Sequence, residues 1–182
     1  MRRIRGAGPV AACLAAALAA AACSRKAPSF PGAVTYTSPT GKFSCAVPGN
    51  WRVLENEGGS LVSFFGPPDG AYANSASIAI YRYASTDFSD PEDYYRRETI
   101  SASSSVPMIQ EDVGESGGAY YFSMESPRPV LNSRKTERIR EEDYLISAKD
   151  GFYALVYMCP DDAVADSESV FRDVVQSFKP SR

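Results

Sequence analysis

Residues 152–158, Phe-Tyr-Ala-Leu-Val-Tyr-Met, are apolar at nearly every position. A strand with one wet face alternates. A run apolar on both faces belongs in the middle of a sheet that is covered on both sides. This short segment therefore demands two covering layers. In front of it, Lys149-Asp150-Gly151 reads as a hairpin turn from a strand over residues 137–148. Behind it, Val170, Phe171, Val174, Val175 and Phe178 recur at helical spacing before Pro180, which predicts a closing helix with one apolar face.

The rest of the chain supplies the sheet. Phe43, Cys45 and Val47 alternate with Ser44 and Ala46 and stop at Pro48-Gly49-Asn50, with a partner strand starting at Trp51, Val53 and Leu54 across that turn. Residues 61–65 form another apolar run. Residues 76–84 place Ile78 and Ile80 on one face and Ala79, Tyr81 and Tyr83 on the other. At residue 90 the period changes. Asp90 can cap a helix, Pro91 suits its first position, and Glu92 and Asp93 favour the positive end of the dipole. The helix ends at the serine run of residues 103–105. Residues 106–113 and 119–125 are extended around Gly117-Gly118, and residues 127–135 form a polar connection. The mixed charges of residues 134–143 suit a half-exposed hairpin strand, in which facing opposite charges add a few tenths of a kcal/mol per pair. Together these elements predict an α+β sandwich around an antiparallel sheet.

The N-terminus stands apart. Arg2, Arg3 and Arg5 precede an Ala-rich, uncharged stretch over residues 7–22, which falls short of the roughly 20 apolar residues of a spanning helix. This is the layout of a bacterial secretion signal over residues 1–22, ending at Cys23 as the lipidated residue. Ala21 and Ala22 fit a lipoprotein signal, whereas Ala20 stands where Leu is usual, and simple cleavage after an Ala-x-Ala site competes. Ser24, in place of Asp, points to the outer membrane. Residues 23–33, with Pro28 and Pro31, form a tether, and residues 34–180 one folded body in the periplasm. Each buried acyl methylene contributes about 0.8 kcal/mol, so the body needs no membrane-binding surface of its own. Three of the 19 Lys and Arg residues lie in the signal and all 22 Asp and Glu residues beyond it, leaving a net charge of −6. Such a body is a poor candidate for nucleic acid or anionic headgroups.

Cys13 leaves with the signal and Cys23 takes the lipid, so Cys45 and Cys159 remain. In an oxidising compartment they are candidates for a disulfide, worth about 4–5 kcal/mol for a loop on the order of 100 residues. Two separate buried thiols are the alternative.

The chain contains no His. That excludes triads with a His base and His-ligated metal sites within it. Gly114-Glu115-Ser116-Gly117-Gly118 matches the Gly-x-Ser-x-Gly of hydrolase elbows, but no Ser-x-x-Lys supplies a substitute base, and a tight turn explains the glycines. The carboxylates Asp90 with Asp93, Glu141-Glu142-Asp143 and Asp161-Asp162 lack the alternation of a calcium loop, and are expected at helix caps and on solvated faces. No catalytic residue, metal site or cofactor is expected. Tyr81, Tyr83, Tyr120, Tyr121, Tyr153 and Tyr157 fall on predicted strands, where Tyr packs well. Val130 and Leu131 are apolar residues in a polar loop and are the candidate partner contact.

Residues 41–51, Gly-Lys-Phe-Ser-Cys-Ala-Val-Pro-Gly-Asn-Trp, resemble the opening Gly-x-Phe-x-x-x-x-Pro-x-x-Trp of PsbP-like domains. Phe65-Gly66-Pro67-Pro68-Asp69 and residues 76–83 are similar to the following turn and strand. Residues 118–125, Gly-Ala-Tyr-Tyr-Phe-Ser-Met-Glu, are similar to that family's Gly-x-Tyr-Tyr-x-x-x-Glu strand. Residues 151–155 with 174–178 resemble its closing strand and helix. The order holds over about residues 34–179. The resemblance implies an α/β/α sandwich on a central antiparallel sheet and a non-catalytic factor held at a membrane surface. The family's His-containing ion sites have no counterpart in a His-free chain. The expected function is therefore an envelope lipoprotein that assists or stabilises a protein complex. The alternative is a periplasmic module binding a small ligand or glycan through sheet tyrosines.

Overall fold

The computed structural model describes residue 30 and residues 32–70, 73–103, 109–116, 119–129 and 136–181. In chain order the elements are β1 (Ala33–Thr37), β2 (Phe43–Pro48), β3 (Arg52–Glu55), β4 (Val62–Gly66) and β5 (Ala76–Ala84). Then come α1 (Pro91–Ser103), β6 (Ile109–Ser116), β7 (Ala119–Pro129), β8 (Thr136–Ala148) and β9 (Gly151–Pro160). A 3-10 turn (Asp161–Ala163), α2 (Val164–Ser177) and β10 (Lys179–Pro180) complete the elements among the described residues. Seven strands form one antiparallel sheet in the order β3-β4-β5-β9-β8-β7-β6, and β1-β2-β10 form a second.

The doubly apolar run is β9, the middle strand of the seven. Its Phe152, Ala154 and Val156 pack with Phe122, Met124 and Leu145 beneath Tyr94 of α1. Its Tyr153, Leu155, Tyr157 and Cys159 face the other way, against Phe43, Cys45 and Val47 of β2 and Phe171 and Val174 of α2. Ile78 and Ile80 of β5 join this second cluster, while Tyr81 and Tyr83 pack against the first. Helix α1 thus covers one face of the large sheet, and α2 with the small sheet covers the other. Burying each large side chain contributes roughly 1.5–3 kcal/mol.

Local rules set the joints. The Asp93 amide donates to Asp90 Oδ1 at 2.8 Å, so Asp90 caps α1 as its sequence predicts. Strands β8 and β9 close with Ala148 opposite Gly151, through Asp150 at φ 61°. Gly151 has φ 139°, and a Cβ there would lie 2.1 Å from the Tyr83 carbonyl oxygen. Only glycine lets the two backbones approach so closely.

The structure corrects the sequence reading at three places. Strands β2 and β3 do not pair across Pro48-Gly49-Asn50; β2 lies between β1 and β10, and β3 pairs with β4. Trp51 makes the crossing, its indole buried over Gly66, where a Cβ would meet the ring at 2.2 Å. The second sheet, with β1 and β10, has no counterpart in the expected elements. Strand β7 also runs on to Pro129, into the expected polar connection. Among the described residues the pairing of β6 with β7 begins at Ile109 opposite Glu125, and Pro127 and Pro129 lie beyond it on β7, paired with β8.

Candidate functional site

Alternation on β7 and β8 sends Tyr121, Ser123 and Glu125, and opposite them Tyr144, Glu142 and Arg140, to the face that carries α2. Tyr121 and Tyr144 stack with ring centroids 5.6 Å apart, and Phe171 of α2 meets Tyr144 edge-on at 5.5 Å. Beside them lies a cavity of about 200 Å³ lined by Tyr121, Ser123, Arg140, Glu142, Tyr144 and Arg172. Arg140 Nε donates to Glu142 Oε1 at 2.9 Å, and the Glu142 side chain is only 8% exposed. Arg172 reaches the rim from α2, with Nε and Nη2 both donating to Glu168 Oε1. That bond raises the Arg172 pKa, and the Glu142 carboxylate adds to the effect. Ser123 is 5% exposed, and its Oγ has no hydrogen-bond partner. An orphaned buried hydroxyl costs about 1–3 kcal/mol, so its retention needs a reason.

On the opposite face the aromatic layer around Asp143 is sealed. Asp143 is 1% exposed beneath α1; its Oδ2 accepts from the Tyr94 hydroxyl at 3.1 Å and its Oδ1 has no partner. Burial raises the Asp143 pKa well above the carboxylate range, and the Glu141 and Glu98 charges add to it, against the Tyr94 bond. Burial likewise pushes the Tyr83 hydroxyl up to about 12 and that of Tyr94 further. A buried carboxyl among tyrosines is a packing element here, without solvent access for proton exchange with a substrate. A second depression of about 340 Å³ opens at the start of α1 beside Asp90, Glu92, Tyr120 and Ser147. Asp90 is committed there to capping.

The acidic triplet Glu141-Glu142-Asp143 is therefore not a solvated face: Glu142 and Asp143 are buried on opposite sides of β8. Nor are Cys45 and Cys159 bonded. Both are free, buried thiols, one on each sheet. Cys159 Sγ contacts the Pro160 carbonyl oxygen at 3.2 Å and Ser167 Oγ at 3.5 Å, which holds it toward α2. Burial pushes the Cys45 thiol up to about 12. Both behave as small hydrophobes in one core. Ser116 ends β6 opposite Ala119, in a strand-to-strand connection, whereas a nucleophile elbow joins a strand to a helix. Cys23, Val130 and Leu131 lie outside the described residues. Among the described residues no group of three or more His, Cys, Asp or Glu could hold a metal ion. No helix among them is long and apolar enough to cross a membrane. Sequence reasoning missed the Ser123–Glu142–Arg172 constellation, whose only signal was the strand alternation on two segments far apart in the chain.

No family model matches the sequence, and no curated protein matches it. Solved structures do. The solution structure of cyanobacterial PsbP, CyanoP, from Synechocystis is 15% identical with a TM-score of 0.54, covering 96% of this chain and 100% of that one. The fold is PsbP-like. The Ran-binding protein Mog1p of Saccharomyces cerevisiae shares that PsbP-like fold at 12% identity and a TM-score of 0.56, over 81% of this chain and 95% of its own. A Pseudomonas aeruginosa protein described as a putative regulator, PA94, is 15% identical with a TM-score of 0.53, over 82% and 98%. Identities this low carry the PsbP-like architecture and no activity.

Proposed function

We propose that this protein is a non-catalytic accessory factor of the cell envelope, assisting or stabilising a membrane or periplasmic protein complex. Residues 1–22 act as the signal, Cys23 carries the lipid, residues 23–33 are the tether, and residues 34–180 work in the periplasm at the outer membrane. The observation that carries this reading is the PsbP-like fold, matched by CyanoP over 96% of the chain. The backbone at Ser116 supports it against a hydrolase, because Ser116 ends a strand paired with the next strand, whereas an elbow joins a strand to a helix. In this reading Val130 and Leu131 form the partner contact.

Two measurements test it. Cys23→Ser should lose incorporation of a palmitate analogue and move from the membrane to the soluble fraction. In proximity labelling from the native envelope, the wild-type protein should mark a reproducible partner, and Val130→Asp with Leu131→Asp should reduce its recovery. Failure to recover any partner from intact envelopes sinks the proposal.

A further inference from the structure

We infer that the cavity between β7, β8 and α2 is a binding site for a small oxyanion, a carboxylate or phosphate carried by a diffusible molecule. The cavity, about 200 Å³, is below the roughly 300–1,000 Å³ of sites for drug-sized ligands and suits a headgroup. Its chemistry is weighted toward donors. Arg140 and Arg172 flank it, and guanidinium groups meet carboxylate and phosphate oxygens in paired, charge-assisted bonds. Arg172 commits Nε and Nη2 to Glu168, which leaves its Nη1 outside that ion pair. The Ser123 hydroxyl, buried and without a partner, lines the same cavity and completes an oxyanion cradle. Glu142, fixed by Arg140, is a buried carboxylate lining this cavity. It suits a hydroxyl next to the ligand's anionic group and sets a limit on the ligand's charge. The site is independent of the partner contact in residues 130–131, so its failure leaves the accessory function untouched.

The test is a titration of the full chain, isotope-labelled for NMR, with inorganic phosphate, glycerol 3-phosphate and glycerate, against sodium chloride at equal ionic strength. At least one probe should give saturable shifts confined to β7, β8 and the Arg172 turn of α2. The two organic probes decide between a phosphate and a carboxylate source. Arg172→Gln, at an exposed position, should weaken that binding about tenfold or more, the loss of a charge-assisted bond. Ser123→Ala should weaken it about three- to tenfold while leaving the melting temperature without ligand equal or higher, because it removes an orphaned hydroxyl. A serine kept for structure alone would lose stability instead. Water is the competing occupant of a polar cavity. Absence of saturable shifts with all three probes, or binding that survives both substitutions, overturns the inference.

Discussion

Glu142 and Asp143 are consecutive on β8, both buried, and the two faces of the sheet treat their carboxylates differently. Glu142 points to the α2 side, where Arg140 holds it at 2.9 Å beside an open cavity. Asp143 points to the α1 side, where an aromatic layer offers one tyrosine hydroxyl and, among the described residues, no cation pairs with it. A buried charge persists when it is paired and neutralises when it is not. The α2 face thus carries an ion-paired patch beside a cavity, suited to binding, and the α1 face a packed aromatic layer around Asp143 that holds the sheet together.

The largest expected effect tests the anchoring of that α2 face. Phe171 stacks on Tyr157 at 5.1 Å and is fully buried. Phe171→Ala should cost about 3–5 kcal/mol in urea unfolding; a loss under about 1 kcal/mol would mean that α2 is not part of the cooperative core. The contrast between the carboxylates gives the next two. The unfolded chain releases the Asp143 proton near pH 3.9, and the folded protein releases it well above that value because the side chain is buried. Stability from this group is therefore complete below about pH 4 and is lost as pH rises through the folded value, by up to about 1.4 kcal/mol per pH unit. The groups facing it are Tyr94 and Glu98 of α1, Tyr81 and Tyr83 of β5 and Glu141 of β8. Asp143→Asn should match the wild type near pH 4 and be the more stable protein at pH 8. Parallel stability curves for the two would show that Asp143 is not a protonated buried acid.

Glu142→Gln should act with the opposite sign, destabilising by about 1–3 kcal/mol at pH 7 because the ion pair with Arg140 is lost. A gain in stability there would erase the distinction between the two faces. The smallest expected effect is none. With Cys45 and Cys159 as free thiols, dithiothreitol should leave the unfolding midpoint unchanged, whereas a native disulfide would lose about 4–5 kcal/mol on reduction.

Much of the architecture was legible because it is written locally. The doubly apolar run at residues 152–158 announced a central strand, Asp90-Pro91 announced a helix start, and Lys149-Asp150-Gly151 announced the turn between β8 and β9. The pairing of β2 was not legible, because Pro48-Gly49-Asn50 has the chemistry of a hairpin turn, and burial of Trp51 over Gly66 overrides it. Strand β10 was hidden too: two residues, Lys179 and Pro180, have no periodicity, and only Ser44 and Phe43 across from them make a strand. The candidate site was the least legible part. Strand alternation separates Glu142 from Asp143, but whether either is buried depends on what packs above them.

The sequence by itself determined a layered α+β body, its central strand, the capped first helix and a chemistry without histidine, since each follows from residue type, spacing or composition. Tertiary structure alone decided the second sheet, the separate burial of Cys45 and Cys159, and the meeting of Ser123, Arg140, Glu142 and Arg172 around one cavity. Those outcomes depend on contacts between segments far apart in the chain. Such contacts set local dielectric and hydrogen-bond supply, which no local pattern encodes.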